Sequence, residues 1–259
     1  MTKIAAFGDS FAAKSHLEFN DTQEMFVKEI YDLCNRKYNK KEFSRIREIL
    51  GSRYKSWMDV LSADTFGGSG SDIYFSYNQF IHNHMSYDKC VFVITSPARF
   101  SSNINGWRHC GSSEDAREKA EWSSNKKYYS VLADTFEHIF YKDLDRIELI
   151  NQAMLDNIKT IRPDTIFIDS FPVLKSVYEL ELKAWNTDHI ESQDYSKYID
   201  LRICHMTNEN NSILGNYILQ NLDKSGYLDL LDVNWRTPTL EDKTYYLPQT
   251  HNIFDLLLS

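Results

Sequence analysis

The chain has 259 residues, ordinary hydrophobic and charged fractions and a net charge of −8. That length supports one large α/β domain with a sizeable core. The acidic balance excludes a general nucleic-acid binder, because neutralising phosphates needs a basic surface.

In chain order, the first strand is expected over Lys3–Phe7, where the apolar run Ile4–Phe7 stops at Gly8-Asp9-Ser10, the pattern of a buried strand entering a tight turn. Residues 13–53 form a polar helical insertion. Phe26, Ile30, Leu33 and Cys34 share one helix face there, and a second helix is expected around Glu42–Leu50. The basic stretch from Arg36 to Lys55 also holds Glu42 and Glu48, so it reads as a solvated helix face. Trp57, Val60 and Leu61 mark a short helix. After it, Gly67-Gly68-Ser69-Gly70-Ser71-Asp72 signals a strand end, a tight loop and a helix N-terminus. Free N–H groups at such a place can hold an anion, while the plain alternative is a flexible turn.

Lys89–Thr95 is the clearest buried strand, and it ends at Ser96-Pro97-Ala98-Arg99. A polar loop excursion of about 100–127 follows, carrying Trp107, Cys110 and Trp122 and placed where a lid or substrate-contacting loop would sit. Two amphipathic helices come next. One carries Tyr128, Leu132, Phe136 and Ile139, and the other carries Ile147 to Ile161 before Pro163. Thr165–Asp169 is the next strand, 175–203 has no clear pattern, and Asn208–Leu222 bears a final apolar stripe. Residues 223–259 are expected to be a C-terminal extension packed on the 1–222 domain or on a partner.

Strands alternating with helices predict a doubly wound, mainly parallel sheet with helices on both faces, a flavodoxin-like three-layer α/β/α fold. Ser10 and the glycine loop would then share the carboxyl edge of the sheet, where open α/β sheets bind ligands. Cys34, Cys90, Cys110 and Cys204 are widely spaced without a Cys-x-x-Cys pair, predicting reduced thiols and a cytoplasmic setting. No apolar run reaches membrane-spanning length, and no signal-peptide core follows Met1. His82 and His84 are two residues apart on a helix and point to different faces, which disfavours metal chelation. No metal or cofactor is expected.

A serine nucleophile needs a base and oxyanion donors, and His205, just before the last amphipathic helix, is the candidate base. Gly8-Asp9-Ser10, the loop Gly67-Gly68-Ser69-Gly70 and the stretch ending in His205 resemble three blocks of the SGNH hydrolase family, the GDSL esterases and lipases. The resemblance implies a Ser–His mechanism. Ser10 attacks an ester carbonyl, His205 serves as base and then acid, and the oxyanion is held by the Ser10 N–H and that of Gly70 or Gly68.

Two positions depart from the family. Its acid three residues before the histidine falls on Arg202, leaving Asp200 or Asp194 to orient the imidazole, or a dyad without an acid. Its Gly-x-Asn-Asp block is replaced by Thr95-Ser96-Pro97-Ala98-Arg99. Thr95, Ser96 or Arg99 could donate to the oxyanion or contact substrate, as could Arg202 through substrate contact, and Arg99 could equally pair with a structural carboxylate. These departures resemble a divergent, phage-encoded branch.

The resemblance implies a small acyl ester as substrate, such as an O-acetylated sugar or glycan. One alternative is a catalytically decayed carbohydrate-binding or assembly protein on the same fold. Another is a phosphate or nucleotide binder using Gly67–Gly70, although the chain lacks Gly-x-Gly-x-x-Gly and a P-loop Lys-Ser/Thr.

Overall fold

The computed structural model describes residues 2–12, 37, 39, 41, 56–67, 71–95, 99–104, 107–111, 113–139, 144–169, 198–200, 208–231, 233–236 and 246–248. The helices expected at 22–34 and 42–50 lie outside these residues. The chain divides into two compact units. The first is Met1–Ala13, Leu61–Val173 and Tyr217–Asp232, and the second is Lys14–Val60, Leu174–Asn216 and Val233–Ser259.

The first unit is built on five parallel strands, β1 (Ile4–Gly8), β2 (Asp64–Gly67), β3 (Lys89–Ile94), β6 (Ile166–Asp169) and β8 (Gly226–Tyr227). Their spatial order is β2-β1-β3-β6-β8, so the direction of winding reverses at β1. The fold is a doubly wound three-layer α/β/α architecture. β1 and β3 are apolar almost throughout because both faces are covered: Ile4, Ala6, Val91 and Val93 are as buried as Ala5, Phe7, Cys90 and Phe92 on the opposite face.

Two helices cover the latter face. α2 (Ile73–Asn83) begins where the Asp72 carboxylate accepts the Phe75 N–H at 2.7 Å, satisfying one of the donors that a helix start leaves open. Its Ile73, Tyr77, Phe80 and Ile81 recur at helical spacing and pack on the strands. α5 (Leu144–Ile161) adds Leu155 and Ile158 to the same cluster. The step from β2 to β3 and the step from β3 to β6 run in the same direction across the sheet. Right-handed crossovers therefore put both helices on one face. Between them lies a ladder of rings, Phe66 stacked on Phe7 at 5.1 Å, Phe80 edge-on to Phe7 at 5.1 Å, and Phe92 beside Phe167 at 6.1 Å.

Two expectations are corrected. The stretch 100–127 is not an open loop. It forms an antiparallel hairpin, β4 (Phe100–Ile104) with β5 (Trp107–Gly111), followed by α3 (Ser113–Trp122), which lies against α4 (Lys126–Ile139). Phe100 stacks on Phe136, and Ala116 and Ala133 complete that small core. Residues after 222 are not all extension either, because β8 supplies the fifth strand and Leu228 and Leu230 beyond it are buried.

In the second unit, α1 (Trp57–Leu61, whose last residue belongs to the first unit) meets the first part of α6 (Asn208–Gln220). A Cβ on Gly215 would lie 2.6 Å from the Val60 Cβ, so only glycine permits this approach. Asn211 Oδ1 accepts the Trp57 N–H at 3.2 Å. The Asn210 side chain makes two bonds of 2.8 Å with the backbone of Arg236. β7 (Tyr198–Asp200) pairs antiparallel with β9 (Tyr246–Pro248).

Candidate active site

The carboxyl ends of β1 and β3 meet at the point where the strand order reverses. β1 ends at Gly8 because a side chain cannot fit there: a Cβ would sit 2.7 Å from the Val93 Cβ and 3.0 Å from that of Ala12. The chain then turns through a single 3-10 turn, Ser10–Ala12, closed by the Ala12 N–H donating to the Asp9 carbonyl at 3.0 Å. Ser10 is the first residue of that turn. Gly67, at the end of β2, lies against the same turn, where a Cβ would come within 2.7 Å of the Asp9 carbonyl oxygen and 2.8 Å of that of Gly8. Three strand ends are thereby packed around Gly8-Asp9-Ser10.

Asp9 is the centre of the polar structure here and has no exposed surface. Its Oδ1 accepts the Phe11 N–H at 2.9 Å, an Asx-type bond that spans Ser10. Its Oδ2 accepts from the Arg99 guanidinium and lies 3.3 Å from the Thr95 hydroxyl. Burial pushes the Asp9 carboxyl above the usual carboxylate range, against the opposing pull of Arg99, the Phe11 N–H and Thr95. Thr95 Oγ1 also lies 3.2 Å from the carbonyl oxygen of Ser71, the residue before the α2 cap. A hydroxyl has one proton, so this donor is shared between Asp9 and Ser71. The Ser71 hydroxyl is buried and, among the described residues, has no hydrogen-bond partner.

The positions singled out in the sequence fall as follows. Ser10 is described through its backbone, and Asp200 through its pairing in β7 opposite Tyr246. Gly68, Gly70, Ser96, Asp194, Arg202 and His205 lie outside the described residues. Of the two roles open to Arg99, pairing with a structural carboxylate is the one observed, and Asp9 is that carboxylate. Sequence reasoning left Ser71 without a role and did not join Thr95 and Arg99 to Asp9. A signal was available, since an acid at the end of a buried strand needs a counter-charge, and Arg99 follows the other central strand. Among the described residues no group of His, Cys, Asp or Glu is arranged to hold a metal ion.

The strand order and this turn define a flavodoxin-like α/β protein with a serine at its switch point. Compared with known proteins, the chain matches no family model, no curated protein and no solved structure.

Proposed function

We propose that the chain is a serine ester hydrolase of the SGNH type, acting on a small acyl ester such as an O-acetylated sugar or glycan. The observation that carries the reading is the position of Ser10. It opens a tight turn at the carboxyl end of β1, beside β3, where doubly wound sheets bind their ligands. In this mechanism the Ser10 hydroxyl attacks the ester carbonyl while His205 takes its proton. His205 then returns that proton to the leaving alkoxide, and water repeats the sequence on the acyl-enzyme. Asp200 is the acid assigned to orient His205, and the N–H groups of Ser10 and of Gly70 or Gly68 are assigned to the oxyanion. Arg202 and Ser96 are assigned to substrate contact.

The acidic net charge supports a small-molecule or glycan substrate over nucleic acid. Among the described residues no helix is long and apolar enough to cross a membrane. The spaced cysteines support a cytoplasmic setting, and the departures at Arg202 and Thr95–Arg99 support a phage-encoded origin.

The test is hydrolysis of p-nitrophenyl acetate together with fluorophosphonate labelling of Ser10. Ser10→Ala and His205→Ala are each expected to lower turnover by roughly a thousandfold or more. Full turnover in Ser10→Ala would sink the reading. A specific observation favours one other reading, a carbohydrate-binding or assembly protein whose catalytic site has decayed. Thr95 and Arg99, at the position of the family's Asn block, are bonded to Asp9. Absence of both labelling and ester turnover in the wild type decides for that alternative.

A further inference from the structure

Asp9, Thr95 and Arg99 form a device whose geometry points at one residue. We propose that Arg99 is a positioning residue for Ser10, acting through Asp9 by holding the carboxylate that fixes the Ser10–Ala12 turn. The inference rests on the reading of Ser10 as the nucleophile and adds to it the part of the chain that aims the serine.

Four observations support it. The Asp9 carboxylate is bonded on both sides of its function. One oxygen holds the Phe11 N–H, on the far side of Ser10, and the other reaches across to the segment after β3. The turn therefore cannot rotate without breaking the Phe11 bond, and Asp9 cannot swing away without leaving Arg99. The carboxylate is wholly buried, so it keeps its charge and its acceptor geometry only with a counter-charge in contact. Arg99 supplies that charge from a partly exposed side chain, where a guanidinium keeps some of its hydration. The backbone on either side is wedged: Gly8 lies against Val93 and Ala12, and Gly67 lies against the Asp9 and Gly8 carbonyls. Side-chain loss at Arg99 is then felt in the orientation of the turn, and the strand ends stay in register. Finally, the Thr95 hydroxyl touches both Asp9 and the Ser71 carbonyl. The same node thus ties the segment leading into α2 to the serine turn.

A carboxylate that merely terminated β1 would need only its bond to Phe11 and would face water. Instead the positions at which the resembled family carries its Asn block are spent on Asp9. Lysine would preserve the charge of Arg99 but not the fixed planar fork of donors, so Arg99→Lys should rescue part of the effect.

The experiment follows three quantities in Arg99→Met, Arg99→Lys, Asp9→Ala and Asp9→Ala/Arg99→Met: the fluorophosphonate labelling rate, kcat and KM for p-nitrophenyl acetate, and amide exchange at Phe11. Arg99→Met is expected to slow labelling and kcat by about tenfold or more with KM little changed, and to speed Phe11 exchange by a similar factor. Arg99→Lys should fall between it and the wild type. Because Arg99 acts through Asp9, the double variant should label no more than about twofold more slowly than Asp9→Ala.

Labelling and Phe11 exchange both within about twofold of wild type in Arg99→Met overturn the proposal, as does a double-variant effect equal to the product of the single effects. If Arg99→Met does not fold, the comparison of Asp9→Ala with the double variant decides alone, since neither leaves a buried unpaired carboxylate. A wild type that is never labelled defeats the hydrolase reading, and with it the aim of the device. Exchange at Phe11 then still reports whether Arg99 holds the turn, so the two failures are told apart.

Discussion

Asp9 contributes two opposing free energies. Removing a carboxylate from water costs several kcal/mol, and a guanidinium, a backbone N–H and a hydroxyl return much of it. Burial is the larger influence, which holds the folded-state carboxyl above its ordinary 3.8. A carboxyl raised on folding binds more protons in the native state. Its contribution is therefore fully present below the unfolded value and is lost as pH rises through the native one. The expected outcome is that the stability advantage of wild type over Asp9→Asn, measured by urea unfolding between about pH 4 and pH 7, shrinks as pH rises. An advantage that grows with pH would mean that Arg99 outweighs burial and that the carboxyl lies below its ordinary value. The sequence identified Asp9 as a turn former from its place after an apolar run. It left the counter-charge unnamed: Arg99 stands after the other central strand, but its contact across ninety positions forms only because β1 and β3 are neighbours.

Legibility at the level of elements follows burial. β1 and β3 are covered on both faces, so they read as unbroken apolar runs, and α2, α4 and α5 show their stripes plainly. β2 is a half-exposed edge strand of mixed polarity, seen in the sequence mainly through the glycines that end it. The β4–β5 hairpin was missed because its strands, Phe-Ser-Ser-Asn-Ile and Trp-Arg-His-Cys-Gly, alternate poorly. An Asn-Gly dipeptide is a hairpin signal in a sequence, and Asn105-Gly106 is such a pair. Gly67 is the clearest case of an element end set by contact. It read as one of several loop glycines, yet an added Cβ there would meet two backbone carbonyl oxygens below 3 Å. Backbone oxygens in a packed turn cannot move aside like the tip of a side chain. Gly67→Ala is therefore expected to cost about 1–3 kcal/mol in urea unfolding. A loss below about 0.5 kcal/mol would mean that the Gly8-Asp9 turn shifts freely, which would also weaken its suitability to aim a nucleophile.

Across the whole molecule, the sheet is completed by a strand too short to show any period. β8 contributes two residues, but its surroundings are tightly bonded. Gly226 and Leu228 donate their N–H groups to Thr165 and Phe167 at 2.9 Å each, and the Tyr217 hydroxyl donates to the Asp229 carbonyl at 2.7 Å. Tyr227 stacks on Phe167 at 5.5 Å, with the Lys159 ammonium over both rings. A boundary at residue 222, the natural one from periodicity, would strip this strand from β6 and uncover Phe167. Two chain ends separate strand from extension, one after 222 and one after 232, where the first compact unit closes. Burying Leu228 and Leu230 is worth roughly 3–6 kcal/mol together, a large share of the roughly 5–15 kcal/mol that holds a domain folded. The chain ending at 222 should therefore unfold at markedly lower urea than the chain ending at 232, or fail to unfold cooperatively at all. Equal midpoints would mean that the sheet is stable with four strands, that β6 tolerates an open edge, and that the serine turn at β1 owes nothing to residues beyond 222.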